Sequence, residues 1–170
     1  MIDDGKIKLR NAHLNDVPTL LQWDQQPHVI AAGGGDDIVD YALEIKTNAD
    51  WQSVWIGEIN GRSIGVIFCI DPAREVSRYW GEIGLGCRAL DIWIGRQQDL
   101  GCGYGTQMMQ QALKLCFSTS SAHTVIIDPL QSNIKAIRFY KRLGFTFVEN
   151  RTFGVDECAV YHIERTDWEN

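Results

Sequence analysis

The sequence lacks the long hydrophobic run that a membrane-spanning helix requires, since no stretch reaches about 18 consecutive apolar residues. Its first ten residues, MIDDGKIKLR, lack the apolar segment of a secretory signal, so we expect the protein to remain in the cytoplasm. Basic residues are also in deficit, with 16 Lys and Arg against 22 Asp and Glu and a formal net charge of -6. Because this charge repels phosphates, nucleic acid is a poor partner, and a cationic small molecule suits the protein better.

Metal-binding and disulfide patterns are missing as well. The five cysteines are scattered and contain no CxxC pair, which gives no support to a zinc knuckle or a dithiol redox motif. The four histidines form no spaced cluster, so we expect no metal site. We interpret the cysteines as reduced thiols that pack as small hydrophobic residues.

The chain does contain enough apolar material for one folded domain, which we expect to span residues 1–170, since 45% of its residues are hydrophobic. Seven segments have the pattern of strands: residues 6–12, 51–59, 63–70, 88–95, 123–128, 145–149 and 158–164. Asn60-Gly61 lies between the second and the third segment and is the strongest short signal for a β-hairpin.

Helical patterns alternate with these strands in the second half of the chain. There, one helical pattern follows the glycine turn at residues 101–105 and another covers residues 132–143. Two further helical patterns come earlier, one that begins at Asn15 or Asp16 and one that covers residues 38–45. We expect Ser132 to cap the last helix and Gly144 to end it, and AAGGGDD at residues 31–37 predicts a flexible loop. This order of strands and helices predicts a mixed sheet flanked by helices, an α/β arrangement.

The stretch QQDLGCGYGT, residues 97–106, is a glycine-rich turn directly before a helix, a common arrangement for holding a phosphate. A Walker loop would need glycine and lysine where the chain has Thr106 and Gln107, and the dinucleotide fingerprint GxGxxG is also broken. The remaining template is a strand, then [QR]xxGxG, then a helix. Its glycines let the backbone approach an anion, so that successive N–H groups face phosphates without a metal or a lysine. We interpret the apolar stripe of the following helix as core: Met108, Met109, Ala112, Leu113 and Cys116.

A second segment indicates which phosphate is held. The pattern DPxxxNxxAxxxYxxxGF runs from Asp128 to Phe145. With the glycine turn, it resembles the GNAT superfamily of N-acetyltransferases, which binds acetyl-CoA through such a turn. The resemblance implies acetyl-CoA as the cofactor and a GNAT fold, a central mixed, mostly antiparallel sheet of about seven strands flanked by about four helices. Spacing alone places Asn133, Ile137 and Tyr140 on one helical face.

The resemblance extends to one group within the superfamily. LDIWIG, the glycine turn, IIDPLQSNIKAIRFYKRLGF and AVY together resemble the aminoglycoside 6'-N-acetyltransferases, continuously over residues 85–164 and in patches before that. This implies transfer of acetyl to the 6'-amine of an aminoglycoside, and hence antibiotic resistance. The group also resembles acetyltransferases of siderophore assembly, so a siderophore hydroxylamine, a polyamine or a protein amine stays open as the acceptor. A non-catalytic sensor that binds acyl-CoA is a further alternative.

Two residues are candidates for catalysis. Asp91 lies inside the apolar segment ALDIWIG, where a carboxylate has little structural reason to be. The resemblance implies that it binds the acceptor's ammonium group and takes its proton; the alternative is a solvent-facing aspartate paired with Arg88. The resemblance also implies that Tyr140 assists the departing CoA thiolate. Because the pKa is ~10 for a phenol and ~8.5 for a thiol, a hydrogen bond to the thiolate is the truer role; the alternative is a ring buried against the sheet.

The other candidates divide between cofactor and acceptor. The expected acetyl-CoA contacts are Trp93, Ile94, Gln98, Gly101, Cys102, Gly103, Tyr104, Gly105, Thr106, Asn133, Ile137 and Tyr140. The expected acceptor contacts are Trp23, Asp37, Trp80, Glu82, Asp91, Asp128 and Asp156. One departure concerns the acidic, aromatic-rich loop that the aminoglycoside enzymes carry before the strand of Asp91. Here it reads AREVSRYWGEIGLG, with two arginines inside it, which affects the identity of the acceptor more than the reaction. We expect a monomer or a homodimer.

Overall fold

A computed structural model describes residues 5–33, 39–47 and 49–170, and its strands form one sheet in the order β1-β2-β3-β4-β5-β7-β6. The strands are β1 (Lys8–Asn11), β2 (Gln52–Ile59), β3 (Arg62–Ile70), β4 (Cys87–Ile94), β5 (Thr124–Ile127), β6 (Thr146–Phe153) and β7 (Asp156–Glu164). Only β4 and β5 are parallel; the other neighbouring pairs are antiparallel. The predicted seven-stranded, mostly antiparallel sheet is confirmed.

The described residues contain six α-helices where the sequence predicted about four. They are α1 (Val17–Asp24), α2 (Pro27–Ala32), α3 (Tyr41–Thr47), α4 (Tyr104–Ser118), α5 (Ile134–Arg142) and α6 (Arg165–Trp168). The two extra helices, α2 and α6, are one or two turns long, and α2 includes the first two residues of the predicted loop 31–37. The rest of that loop lies largely outside the described residues, as does the predicted start of the second helix at residue 38. Within the described ranges, no helix has the length and apolarity needed to span a bilayer.

The hairpin between β2 and β3 follows from its local sequence. Asn60 and Gly61 both adopt positive φ, 50° and 77°, as a two-residue turn that matches the twist of its strands requires. Asparagine and glycine are the residues that adopt this conformation at least cost, so the turn fixes the pairing of Ile59 with Arg62. The predicted hairpin is confirmed.

Helices cover both faces of the sheet. On one face α4 and α5 bury a large core, in which Met108, Met109, Ala112 and Leu113 have no exposed surface. The predicted apolar stripe of α4 is therefore core, as expected. The opposite face carries two smaller groups. We call them the α1–α3 cluster, which includes Leu20, Trp23, Tyr41 and Phe68, and the loop cluster, which includes Trp80, Ala89, Ile126, Phe153 and Cys158.

The sheet opens at its centre. Strands β4 and β5 pair only over Cys87–Ala89 and Thr124–Ile126, whereas β4 continues to Ile94 along its antiparallel neighbour β3. On the side of β4 that faces β5, the second half of the strand therefore has backbone N–H and C=O groups that are not paired with any strand of the described residues. An extended ligand could add to such an edge as another strand would.

Candidate active site at the strand divergence

Asp91 lies where β4 leaves β5, one residue after Leu90 and two after the last paired position. It stands opposite Phe68 in the ladder, and its side chain is exposed on the face that carries the two smaller clusters. Two residues before it, Ala89 belongs to the loop cluster; two residues after it, Trp93 stacks on Phe68 in the α1–α3 cluster, with ring centroids 5.6 Å apart. Asp91 thus lies between the two clusters. Its proposed alternative partner, Arg88, forms an ion pair with Asp71 at 3.4 Å.

Asp128 and Asp156 approach the same place from the other side of the opening. Asp128 directly follows β5, and Asp156 begins β7. Burial, and then the negative charges of three aspartates, raise the pKa of the Cys158 thiol to about 11; the aspartates are Asp128, Asp156 and Asp91. The three predicted acceptor residues therefore lie near enough to this thiol for their charges to act on it. Their combined charge makes this side of the opening electronegative.

Tyr140 reaches the opening from the opposite face. It lies on α5 within the large core, only 6% exposed, and its ring packs edge-on against Phe145 with centroids 5.7 Å apart. Burial raises the pKa of the phenol well above its usual value, and the charges of Asp91 and Asp128 raise it further. The hydroxyl is therefore neutral and close enough to these carboxylates to respond to their charge. A neutral phenol with a raised pKa serves as a hydrogen-bond donor and not as a ready source of protons.

The glycine turn is open to an anion. Gly101 and Gly103 have φ of 74° and 79°, in the left-handed region that favours glycine, and a Cβ at either would meet no described atom within 4 Å beyond its chain neighbours. Gly103 is the N-cap of α4, and no side chain of the described residues caps that helix. The first N–H groups of α4 are thus left for an anion, so the geometry fits a phosphate group without a lysine or a metal ion.

An ion pair that sequence reasoning missed holds this turn in place. Asp99, 5% exposed, accepts two hydrogen bonds from the Arg62 guanidinium at 2.7 and 3.0 Å. Arg62 begins β3, so the pair ties the turn to the β2–β3 hairpin. The two residues are 37 positions apart, and no local pattern could have indicated that they meet.

Asn133 caps α5 through its side chain. Its Oδ1 accepts a hydrogen bond from the Ala136 N–H at 3.1 Å, so the predicted N-cap, Ser132, is wrong by one residue. Asparagine caps a helix as well as serine does, and here the chain enters the helix one residue later. The Asn133 amide group remains available as a donor to a ligand. Gly144 ends the helix with φ of 96°, as predicted.

The predicted tryptophans are buried. Trp23 is 2% exposed beneath Gly95, where a Cβ would lie 2.0 Å from its ring, and Trp80 is 7% exposed in the loop cluster. Tyr79, the residue before Trp80 in the loop that precedes β4, is instead 47% exposed. The sequence analysis did not single it out. Of the remaining acceptor candidates, Glu82 is exposed, and Asp37 lies outside the described residues.

Several polar atoms lie at the C-terminal end of β4. The Nε2–H of His28 donates to the Ile94 carbonyl oxygen at 2.8 Å, since a carbonyl can only accept. Its Nδ1 and the Trp93 Nε1 are buried without a hydrogen-bond partner among the described residues. Nearby, a cavity of about 300 Å³ separates α1 and α2 from the glycine turn; its lining includes Gln22, Gln26, Arg96 and Gln98. Within the described residues, no group of three or more His, Cys, Asp or Glu side chains is arranged to hold a metal ion.

A divergent parallel strand pair, with an open glycine turn on one side and a group of carboxylates on the other, is an arrangement suited to an enzyme that transfers a group between two substrates. The family model "Acetyltransferase (GNAT) domain" matches residues 13–153. The chain therefore belongs to the GNAT acetyltransferase family, as its two motifs predicted.

Individual relatives agree with this assignment. The chain is 25% identical over 151 residues to an aminoglycoside N(6')-acetyltransferase type 1 of Klebsiella pneumoniae, covering 84% of this chain and 74% of that protein. Its fold matches the structure of AAC(6')-Ib in complex with paromomycin and acetyl-CoA, with a TM-score of 0.87, 23% identity and 97% of each chain covered. It also matches spermidine N-acetyltransferase from Vibrio cholerae in complex with CoA and spermine, with a TM-score of 0.77, 15% identity, and 98% and 100% covered. The predicted GNAT fold is confirmed.

Proposed function

We propose that the protein transfers the acetyl group of acetyl-CoA to an amine of a cationic small molecule, most favourably the 6'-amine of an aminoglycoside. The observation that carries this proposal is the gathering of Asp91, Asp128 and Asp156 beside the opening between β4 and β5. Aminoglycosides are polycations, and carboxylates on one face suit several ammonium groups at once. The aminoglycoside-modifying relatives support the same acceptor.

The cofactor side of the site is built from backbone. The open turn at Gly101 and Gly103 and the uncapped start of α4 fit the pyrophosphate of acetyl-CoA. The edge of β4 at Trp93 and Ile94 is the proposed place for the amides of the pantetheine arm. Because the Ile94 carbonyl already accepts from His28, the Ile94 N–H is the group proposed to polarise the thioester carbonyl. Acetyl-CoA supplies the activated acyl group; the chain supplies its orientation. The remaining proposed contacts are Gln98, Cys102, Tyr104, Gly105, Thr106, Asn133 and Ile137.

Asp91 and Tyr140 act from opposite faces of the opening. Asp91 binds the acceptor's ammonium group and accepts its proton, directly or through water, which leaves a nucleophilic amine. Tyr140, neutral because its pKa is raised, donates a hydrogen bond to the sulfur as the C–S bond breaks. On the acceptor side, Asp128 and Asp156 hold further ammonium groups. Glu82 and Asp37 stay as proposed contributors to the acceptor side, whereas the buried rings of Trp23 and Trp80 can only support it from within the two clusters.

The direct test is release of thiol from acetyl-CoA in the presence of kanamycin or tobramycin, with spermidine and a peptide in parallel. We expect turnover with the aminoglycosides. Asp91→Asn should lower kcat by ~10²-fold or more if the carboxylate takes a proton in the transition state. The matched control is Asp50→Asn, an exposed aspartate paired with Arg74 at 2.7 Å, which should leave kcat unchanged. A mild loss in Asp91→Asn with normal CoA binding would limit Asp91 to positioning the acceptor.

A polyamine is the second candidate acceptor, favoured by the same carboxylates and by the fold likeness to a spermidine acetyltransferase. Turnover of spermidine without turnover of any aminoglycoside would replace the leading acceptor. Turnover of a siderophore hydroxylamine or a peptide alone would replace both. A chain that binds acetyl-CoA and acetylates no amine would be a sensor. We place the enzyme in the cytoplasm as a monomer or a homodimer, which size-exclusion chromatography with light scattering distinguishes.

A further inference from the structure

Tyr79 touches one of the proposed acceptor carboxylates. Its hydroxyl donates a hydrogen bond to Asp128 Oδ2 at 2.8 Å, across 49 positions in the chain. Asp128 is otherwise fixed through its neighbours, because the Pro129 carbonyl accepts from Ala159 N–H at 2.9 Å and Leu130 forms a bridge with Cys158. The backbone therefore fixes the position of Asp128, and the hydrogen bond from Tyr79 helps to fix the orientation of its carboxylate.

The ring of Tyr79 is itself held in place. It lies flat on Phe153, with ring centroids 4.4 Å apart and planes 7° apart, and the Trp80 ring stands edge-on to both. The Arg151 guanidinium covers the Phe153 ring at 5.0 Å and donates to the Trp80 carbonyl at 3.1 Å. This aromatic stack joins the long connection at residues 71–86 to β6. The Tyr79 ring is therefore held in position before any ligand binds, with its hydroxyl directed at Asp128.

We propose that Tyr79 is a positioning residue that orients Asp128 toward the cationic acceptor. The hydrogen bond from the phenol to Oδ2 limits how the carboxylate can turn as it meets an ammonium group. A carboxylate fixed in this way has no rotamer freedom to lose when the cation binds, so the gain appears as affinity for the acceptor. This inference rests on the proposed function, because it concerns how the acceptor of that reaction is held.

The test is a double-mutant cycle on kanamycin binding, measured by calorimetry with CoA present. Tyr79→Phe keeps the ring stack and removes only the hydroxyl. We expect it to weaken binding about five- to tenfold, somewhat less than a buried hydrogen bond to a charged group would give, because Tyr79 is partly exposed. In an Asp128→Asn background the same change should have almost no effect. In steady-state assays the loss should appear in the KM for kanamycin and not in kcat.

Tyr41→Phe is the matched control, since the Tyr41 hydroxyl donates to Asp24 at 2.7 Å in the α1–α3 cluster. Any effect of that variant should be the same with Asp128 or Asn at position 128. An equal loss from Tyr79→Phe in both backgrounds, or no loss, would overturn the inference and leave the proposed function intact. A parallel fall in CoA affinity would also overturn it, because Tyr79 would then act through the fold. Failure of the unmodified protein to bind kanamycin would overturn the acceptor and this inference together.

Discussion

The ion pair between Arg62 and Asp99 should have unequal mutational costs for its two partners. The Asp99 side chain is 6% exposed, whereas that of Arg62 is 39% exposed. Removing Arg62 leaves a buried carboxylate without its counter-ion, but removing Asp99 leaves a guanidinium that can turn to water. Breaking a fully buried pair costs about 3–5 kcal/mol and an exposed one about 0–1. We therefore expect Arg62→Ala to lower the free energy of unfolding by about 3 kcal/mol and Asp99→Asn by about half of that.

Urea denaturation followed by tryptophan fluorescence measures both costs. For a chain of this size, 3 kcal/mol corresponds to a fall in Tm of about 6–12 °C. Because the pair ties down the glycine turn, Arg62→Ala should also raise the KM for acetyl-CoA more than the KM for the amine. Arg74→Ala is the control: it breaks an ion pair of similar length, 2.7 Å, whose partners are both exposed, and its cost should be clearly smaller. Equal costs for Arg62→Ala, Asp99→Asn and the control would refute the reasoning.

Three further predictions concern the same site. An unfolded tyrosine loses its proton above about pH 10 while folded Tyr140, with its raised pKa, keeps it, so the free energy of unfolding should fall there by about 1.4 kcal/mol per pH unit. Tyr41, whose pKa is also raised by burial, adds a slope of its own, so Tyr140→Phe should lower the total slope by about 1.4 kcal/mol per pH unit and not abolish it. Denaturant titrations at alkaline pH that show the same slope in both proteins would contradict the pKa argument. At about pH 8, iodoacetamide should modify the exposed Cys102 before Cys158, because the pKa of the Cys158 thiol is raised to about 11. CoA should protect Cys102 from modification, and peptide mass spectrometry gives the order in which the two thiols react. Gly103→Ala, at φ of 79°, should cost about 1–2 kcal/mol and raise the KM for acetyl-CoA alone, whereas an equal rise for the amine would place the turn elsewhere in the site.

The parts of the fold that were predictable are those whose cause is local. Asn60-Gly61 dictates its own turn, and the spacing of Met108, Met109 and Ala112 dictates which side of α4 is buried. The short helix α2 has no comparable signal, because its six residues give neither a full amphipathic period nor strong helix propensity. It is instead held by a distant contact, from His28 to the Ile94 carbonyl.

At the N-terminus of α5 the motif was recognised correctly, but the predicted capping residue was wrong by one position. Ser132 and Asn133 are both good caps, and sequence alone does not decide between them. The structure decides for Asn133, because its side chain reaches the Ala136 N–H. An amide predicted only as a ligand contact thus has a structural role as well.

The two halves of the site differ in how they are encoded. The cofactor side is a strand, a turn and a helix that follow one another in the chain, because a backbone-bound phosphate needs neighbouring N–H groups. A short motif therefore suffices to predict it. The proposed acceptor side combines Asp91, Asp128 and Asp156 with Tyr79, and the hydrogen bond between Tyr79 and Asp128 spans 49 residues. Such contacts exist only after the sheet has formed, and each can change without altering the motif. This is why the family follows from the sequence, while our proposal for the amine rests on residues such as Tyr79 that only the fold brings into place.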